Sequence, residues 1–559
     1  MDIENFMPKY PNIVNFDDPL FNPYDEDFSN VIVTKKEFQE LKLSKKEETN
    51  LKRGEYYNHQ KMIARFMSSL TPYNELLVFH EMGTGKTCTA VSVIEKLRYE
   101  KNSPIKQALV IARGSGLLKN FVNELLFKCT DGRYIPANYE LLTDNERIYR
   151  VKKETNKFYT FYTFERFARL LSNKQDSDII QQFSNTVVVI DEVHNIREKE
   201  APSEKKLRKN AKKINPIFFR DPLYIYKQFH RFLHIIKHSK ILLMSGTVMK
   251  DDPSEFASVM NLILPLDQQF PADKEFMSTY FDLTTARPIM QASKYQDFVS
   301  KIKGRVSYLK AMSTNVKKVF FGVSVGKLRY FKVALDEMSE FQSAHYAAAY
   351  RNDDNHIFNK SRQAILFVFP DGTYGKDGYT QKRYVVKTKK MYSMANKPQY
   401  KNIYTLGPEL LAAIGYGDVN SKLNNLYRYS SKYTKTIRTI LNNLPTKALV
   451  YCEFVHGGGA ILFSKILELF GFSRAEGTER TIGLRYAILT AETTTHYQSL
   501  NIIKRFNNPD NVDGEYIAVI IGSRIISEGF TLKDIRQEFI LTPHWEPDIF
   551  LSVSYFVLK

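Results

Sequence analysis

Leu76-Leu77-Val78-Phe79-His80-Glu81-Met82-Gly83-Thr84-Gly85-Lys86-Thr87 decides how the rest of this chain is read. The four apolar residues Leu76 to Phe79 form a run that suits a strand buried on both faces. Gly83 and Gly85 supply a tight backbone turn, and Lys86 and Thr87 open a helix expected over Cys88 to Leu97. Strand, glycine turn and helix in this order make a phosphate cradle. Backbone N–H groups and the helix N-terminus attract the anion, Lys86 reaches between the β- and γ-phosphates, and Thr87 sits on Mg²⁺. The expected ATP-binding residues are therefore His80, Glu81, Met82, Gly83, Thr84, Gly85, Lys86 and Thr87. His80 stands where the general pattern has its first glycine.

A second run, Thr186 to Ile190, is continuously β-branched and ends in Asp191-Glu192-Val193-His194. A strand buried on both faces delivers those carboxylates to the C-terminal edge of a parallel sheet. Asp191 suits Mg²⁺ held through water, so the expected metal residues are Thr87 and Asp191. Glu192 suits orienting the water that attacks the γ-phosphate. The expected catalytic set is Lys86, Asp191, Glu192 and His194. Upstream, Gln60 precedes a helix and offers an amide donor and acceptor to an adenine edge. Ser245-Gly246-Thr247 follows the strand Ile241 to Met244, where small hydroxyl residues can link the nucleotide carboxylates to the opposite lobe. Ser527, Glu528 and Gly529 fall on a loop after a later strand, suited to a phosphate backbone or nucleotide.

The chain has 559 residues, too many for one core, and two or three domains are expected. Lys and Arg number 80 against 61 Asp and Glu, a formal charge of +19 that favours a polyanionic partner, by default nucleic acid. The three cysteines, Cys88, Cys129 and Cys452, show no disulfide or metal spacing, so a reducing compartment is expected. No apolar signal core or membrane-length apolar run occurs, which implies an intracellular, cytoplasmic protein without a membrane partner.

Along the chain, residues 1–50 read as a polar leader packing weakly or on the outside. Residues 51–268 alternate strands and helices, as expected of an α/β RecA-like lobe with a parallel sheet. Residues 269–428 read as an insertion or spacer. Within it, Tyr379 to Tyr404 mixes Lys with Tyr and suits either a single-strand contact or a Tyr-rich β-ribbon with one wet face. A basic run from Arg197 to Lys213 reads as a solvated loop or a phosphate contact. Residues 429–559 begin a second αβ series, with strands at Ala448 to Cys452, Tyr486 to Leu489, Tyr516 to Ile521 and Glu538 to Leu541.

These motifs resemble superfamily 2 helicases, and within them the Swi/Snf-like ATPases of large DNA viruses, the branch of the poxvirus early transcription factor small subunit and nucleoside triphosphatase I. The resemblance is carried by FHEMGTGKT, VVVIDEVHNI, LLMSGTVMKDDPSEF, KGRVSY (Lys303 to Tyr308) and MSEFQ (Met338 to Gln342). It continues through SSKY (Ser430 to Tyr433), VYCEFVHGGG (Val450 to Gly459) and SEGFTLKDIR (Ser527 to Arg536), covering about residues 55–545. It implies two RecA-like lobes with ATP between them and nucleic acid across their tops. It also implies an ATP-dependent helicase or translocase linked to viral transcription, with a second transcription-factor subunit or RNA polymerase as partner and the virion as a further location. Such families continue after a W-x-P step, here Trp545-Glu546-Pro547, into a helix whose arginines reach the γ-phosphate. The residues after Pro547 contain no arginine, so a truncated or frameshifted product, or a piece of a longer polypeptide, is expected. An arginine finger contributes about 10³ to 10⁵ in rate. The alternative expectation is thus a nucleic-acid-binding subunit that binds ATP but needs a partner or a longer chain to supply it.

Overall fold

The computed structural model describes residues 24, 35–42, 52–81, 83–101, 103–196, 222–249, 252–282, 287–289, 291–310, 323–324, 332–333, 336–353, 358–394, 397–490, 492–494, 496–523 and 532–542. The chain divides into two compact units, Met1–Met312 and Ser313–Lys559.

The first unit is built on a parallel sheet of β1 (Glu75–His80), β2 (Gln107–Ala112), β3 (Tyr159–Thr163), β4 (Thr186–Asp191), β5 (Lys240–Ser245) and β6 (Val306–Leu309), in the order β3-β2-β4-β5-β1-β6. Alternation along each strand sends residues to opposite faces. Leu77, Leu109, Val188, Ile190 and Leu243 enter one buried cluster, and Leu76, Val78, Val110, Val189 and Leu242 enter the other. Each fully buried aliphatic side chain contributes about 1.5–3 kcal/mol, so the continuous apolar runs are what hold a sheet covered on both sides. Three helices matter for the site: α1 (Asn58–Phe66), α2 (Lys86–Tyr99) and α3 (Ser115–Glu124), the last running into a π turn at Leu125–Cys129.

Five expectations change here. Gln60 lies inside α1, not ahead of it, and α2 begins at Lys86, two residues before the expected Cys88. The expected boundary at 268 cuts off β6, which pairs with β1 from Leu77↔Val306 to His80↔Leu309. β6 is a short edge strand, only partly buried, and so lacks the apolar run that marks the inner strands. The described part of the leader is not loose: Phe38 is buried against Tyr73, and the Tyr24 hydroxyl donates to Glu75 at 3.1 Å. Finally, Cys88 and Cys129 form a disulfide across 41 residues. The first turn of α2 lies against the π turn, which brings the two buried sulfurs together irrespective of sequence spacing, and the inference of a reducing compartment falls with the unpaired thiols. Among the described residues no helix is long and apolar enough to cross a membrane.

The second unit carries an antiparallel hairpin of β7 (Val385–Met394) and β8 (Lys397–Leu406), and a parallel sheet. Its strands are β9 (Lys447–Tyr451), β10 (Ser473–Arg474), β11 (Arg485–Leu489), β12 (Val519–Gly522) and β13 (Ile535–Ile540), ordered β10-β11-β12-β9-β13. Ala448, Val450, Ile488 and Ile521 face one core, and Leu449, Ala487, Leu489 and Ile520 the other. Residues expected in the spacer contribute to the first of these cores, among them Phe367, Phe369, Leu410 and Leu423. Two motifs also have structural duties. The fully buried Gln342 donates to the Ala364 and Ile365 carbonyls and accepts from Ser431 N at 3.0 Å, and Ser430 caps the helix Ser431–Asn442.

Candidate nucleotide site

β1 ends in His80, and the following loop turns through Gly83 and Gly85 at φ 87° and 80°, angles that glycine adopts without strain. A Cβ on Gly85 would lie 2.7 Å from the Gln60 amide nitrogen, while Gly83 faces open space. α2 starts directly at Lys86, so its unpaired N–H groups open toward the loop. Lys86 Nζ donates to the His80 carbonyl at 3.1 Å. The Thr84 hydroxyl donates to the Glu81 carbonyl at 2.8 Å. Met82 lies outside the described residues.

α1 braces this loop from the side. His59 Nε2 donates to the Thr84 carbonyl at 3.0 Å, and Gln60 Nε2 donates to the Gly85 carbonyl at 3.1 Å. Gln60 Oε1 accepts from Tyr57 N at 3.0 Å. The amide expected at an adenine edge is thus engaged by backbone at both ends, leaving one N–H and one lone pair. His80 is buried, with Nε2 2.9 Å from the Ser307 hydroxyl on β6 and its ring edge-on to His59. Burial, then the neighbouring His59 and Lys86, push His80 down to about 3, so it is a neutral imidazole at physiological pH.

Register carries the remaining residues to the same edge. Ala112 stands opposite Asp191, Asp191 opposite Met244, and Phe79 opposite Ser245. Asp191 Oδ1 accepts from Glu192 N at 3.0 Å. Burial and the adjacent Glu192 carboxylate push Asp191 up to about 7, against the pull of Lys86. Glu192 has a left-handed backbone, φ 54°, which costs of order 1–3 kcal/mol for a residue with a Cβ and concentrates at functional sites.

Beyond the carboxylates runs a directed chain of hydrogen bonds. Arg113, just past β2, donates to Asn195 Oδ1 at 3.0 Å, which turns the Asn195 amide nitrogen toward His194 Nε2 at 3.1 Å. Nε2 must then accept, the proton sits on Nδ1, and Nδ1 donates to the Ser245 hydroxyl at 2.9 Å. Glu192 Oε2 lies 3.3 Å from the same Nδ1. Ser245 accepts from Thr247 N at 3.0 Å and donates to the Thr247 carbonyl. The structure thus brings Lys86, Asp191, Glu192, His194, Ser245, Gly246 and Thr247 to one edge. Arg113, Asn195, His59 and Ser307 are additions that sequence reading missed. Arg113 alone carried a signal, a cation directly after an apolar strand. Ser527, Glu528 and Gly529, with the basic run Arg197 to Lys213, lie outside the described residues.

A phosphate loop, an acidic strand end and a Ser-Gly-Thr step on one edge of a doubly covered parallel sheet define a RecA-like lobe, and the second unit supplies a second parallel α/β sheet. Residues 35–249 match the family described as type III restriction enzyme, res subunit. The chain is 36% identical over 88% of its length to "Putative helicase 009L" of Frog virus 3 (isolate Goorha), covering 45% of that protein. It is 34% identical over 94% of its length to "Putative helicase 087L" of Invertebrate iridescent virus 3, covering 49%. "Nucleoside triphosphatase I" of Choristoneura fumiferana entomopoxvirus is 23% identical over 87% of this chain and 68% of its own. Among solved structures, the SWI2/SNF2 ATPase core of Sulfolobus solfataricus in complex with dsDNA aligns over 87% of this chain and 80% of that one, at 15% identity and a TM-score of 0.30. The kinship expected from the motifs is found in what the chain is similar to: residues 35–249 match the ResIII model, and the relatives named above are two proteins called putative helicases and a nucleoside triphosphatase, all of large DNA viruses. The chain spans about half the length of the first curated relatives it matches.

Proposed function

We propose that this chain is the ATP-hydrolysing core of a nucleic-acid helicase or translocase. The observation that carries the reading is the alignment, on one sheet edge, of the Gly83–Thr87 turn with Asp191 and Glu192. Lys86 binds the β- and γ-phosphates, and Glu192 orients the attacking water. Thr87 and Asp191 fit Mg²⁺: a carboxylate raised by burial and a like-charged neighbour gains from a cation placed beside it. When bound, that ion would neutralise charge on the phosphates. His194 reports the state of this edge to Ser245-Gly246-Thr247 through the tautomer that Asn195 fixes. The net charge of +19 supports a polyanionic track.

The finer reading, a DExH-type enzyme serving viral transcription with a second factor or polymerase as partner, rests on the order Asp191-Glu192-Val193-His194 and on the viral kinship. We assign the ATP-binding lobe to residues 51–268 together with β6, and the second lobe to 429–559 together with the preceding residues that enter its core. Steady-state hydrolysis with and without single-stranded and duplex DNA and RNA tests the core claim. Lys86→Ala should lose nucleotide affinity and turnover, and Glu192→Gln should keep affinity while turnover falls about 10²- to 10⁴-fold. Unchanged rates in both variants would remove the reading.

A further inference from the structure

The hairpin β7–β8 is a two-stranded ribbon outside both parallel sheets. Its ten-residue strands pair in full register from Val385↔Leu406 to Met394↔Lys397, a ribbon about 30 Å long at roughly 3.3 Å per residue. Among the described residues neither of its edges pairs with a further strand. The stretch 378–408 contains no Asp or Glu, while the two strands hold Lys387, Lys389, Lys390, Lys397 and Lys401. Register sets Lys390 opposite Lys401. Tyr392 and Tyr400 are interleaved with these lysines.

The root of the ribbon is fixed. Val385 and Tyr404 are buried in the core of the second unit. Glu492, just beyond β11, accepts from Lys387 Nζ at 3.0 Å, Asn402 Nδ2 at 3.2 Å and the Tyr404 hydroxyl. His456, in the loop after β9, lies 2.8 Å from its other oxygen. Glu492 clamps the ribbon to loops at the C-terminal edge of the sheet, the edge where parallel α/β folds bind ligands.

We infer that β7–β8 is a nucleic-acid-binding arm that grips phosphodiester backbone, with Glu492 setting its angle to the second sheet. A two-stranded ribbon fits the major groove of a duplex, and tyrosines among lysines suit stacking on a single strand; the shared chemistry is the phosphate backbone. The bland alternative is that the lysines only keep an open edge from pairing with other chains. The inference rests on the proposed nucleic-acid function, and the experiment separates the two.

Full-length chain and a variant with Lys389→Gln, Lys390→Gln, Lys397→Gln and Lys401→Gln are titrated with duplex DNA, single-stranded DNA and single-stranded RNA across a salt series. Binding of a fluorescent ATP analogue serves as control. The variant should keep analogue affinity, bind its preferred nucleic acid at least about tenfold more weakly, and lose about 0.7–0.9 of log–log salt slope for each phosphate contact removed. The corresponding four Lys→Arg changes should restore both. If wild type binds nucleic acid and the glutamine variant matches it in affinity and slope, the arm is refuted while the ATPase reading stands. If wild type binds none of the three polymers, the nucleic-acid function itself fails. Loss of poly-L-glutamate binding with nucleic-acid binding intact would assign the ribbon to an acidic protein surface and overturn the inference.

Discussion

Reducing the Cys88–Cys129 bond should loosen the first unit by an amount set by the loop it closes. The bridge spans 41 residues and joins the first turn of α2, directly after Thr87, to the end of the π turn. In the chain-entropy treatment a loop of this size stabilises by about 4 kcal/mol at 25 °C through its effect on the unfolded chain. With a denaturant slope of about 3 kcal/mol per M urea for a unit of this size, the unfolding midpoint of the first unit should drop by roughly 1 M. The assay is urea unfolding followed by far-UV circular dichroism, with and without a phosphine reductant, on wild type and on Cys88→Ala/Cys129→Ala. The reductant should move wild type and leave the double variant unchanged. Thiol titration in denaturant without reductant gives an independent reading, because Cys452 is the one free cysteine. It should return one thiol. A return of three thiols, or coincident midpoints, would refute the bridge or its energetic role.

Two further outcomes follow from polar groups held by defined hydrogen bonds. Asn195→Leu removes the donor that fixes the His194 tautomer; loss of one such bond, about 1–1.5 kcal/mol, should slow turnover roughly tenfold with nucleotide affinity retained, and equal loss of both would count against a relay. Lys240 is buried, donates to the Thr71 and Tyr73 carbonyls, and is pushed down to about 8 by that burial. Above pH 8 the folded chain has released this proton while the unfolded chain holds it to about 10.5, so stability contributed at this site rises with pH across that window. Relative to Lys240→Met, wild type should gain about 3 kcal/mol between pH 7 and 10.5, and parallel pH curves for the two would contradict the assignment.

What could be read from sequence follows from which strands are buried on both faces. Val187–Ile190 and Leu242–Met244 announce themselves as unbroken apolar runs, and Gly83 and Gly85 announce a turn because both need positive φ. β6 does not, since an edge strand with one wet side carries no continuous run. The disulfide was illegible because packing of α2 on the π turn, and no local pattern, brings Cys88 to Cys129. Gln60 shows a third kind of limit. Its type suits a base edge, but in the fold Gly85 and Tyr57 already engage its amide. The hairpin is one of the two readings that Tyr379 to Tyr404 allows, and its register stays open in the sequence because its lysines and tyrosines do not alternate as a buried face would.

His80 is the departure from the phosphate-loop pattern that most needs a physical account, and the structure supplies one. Glycine is required where the backbone must turn left-handed or let a ligand approach. Here those demands fall on Gly83 and Gly85. His80 is instead the last residue of β1, paired with Leu309, so a side chain costs nothing in backbone conformation. The imidazole fills the space between α1 and β6, reaching Ser307 through Nε2 and meeting the His59 ring edge-on. Burial keeps it neutral at working pH, which matters because Lys86 donates to the His80 carbonyl. A protonated ring there would place a second positive charge against Lys86. Joining the loop's entrance to an edge strand by a neutral histidine fixes where β1 stops, and with it where Lys86 stands relative to Asp191.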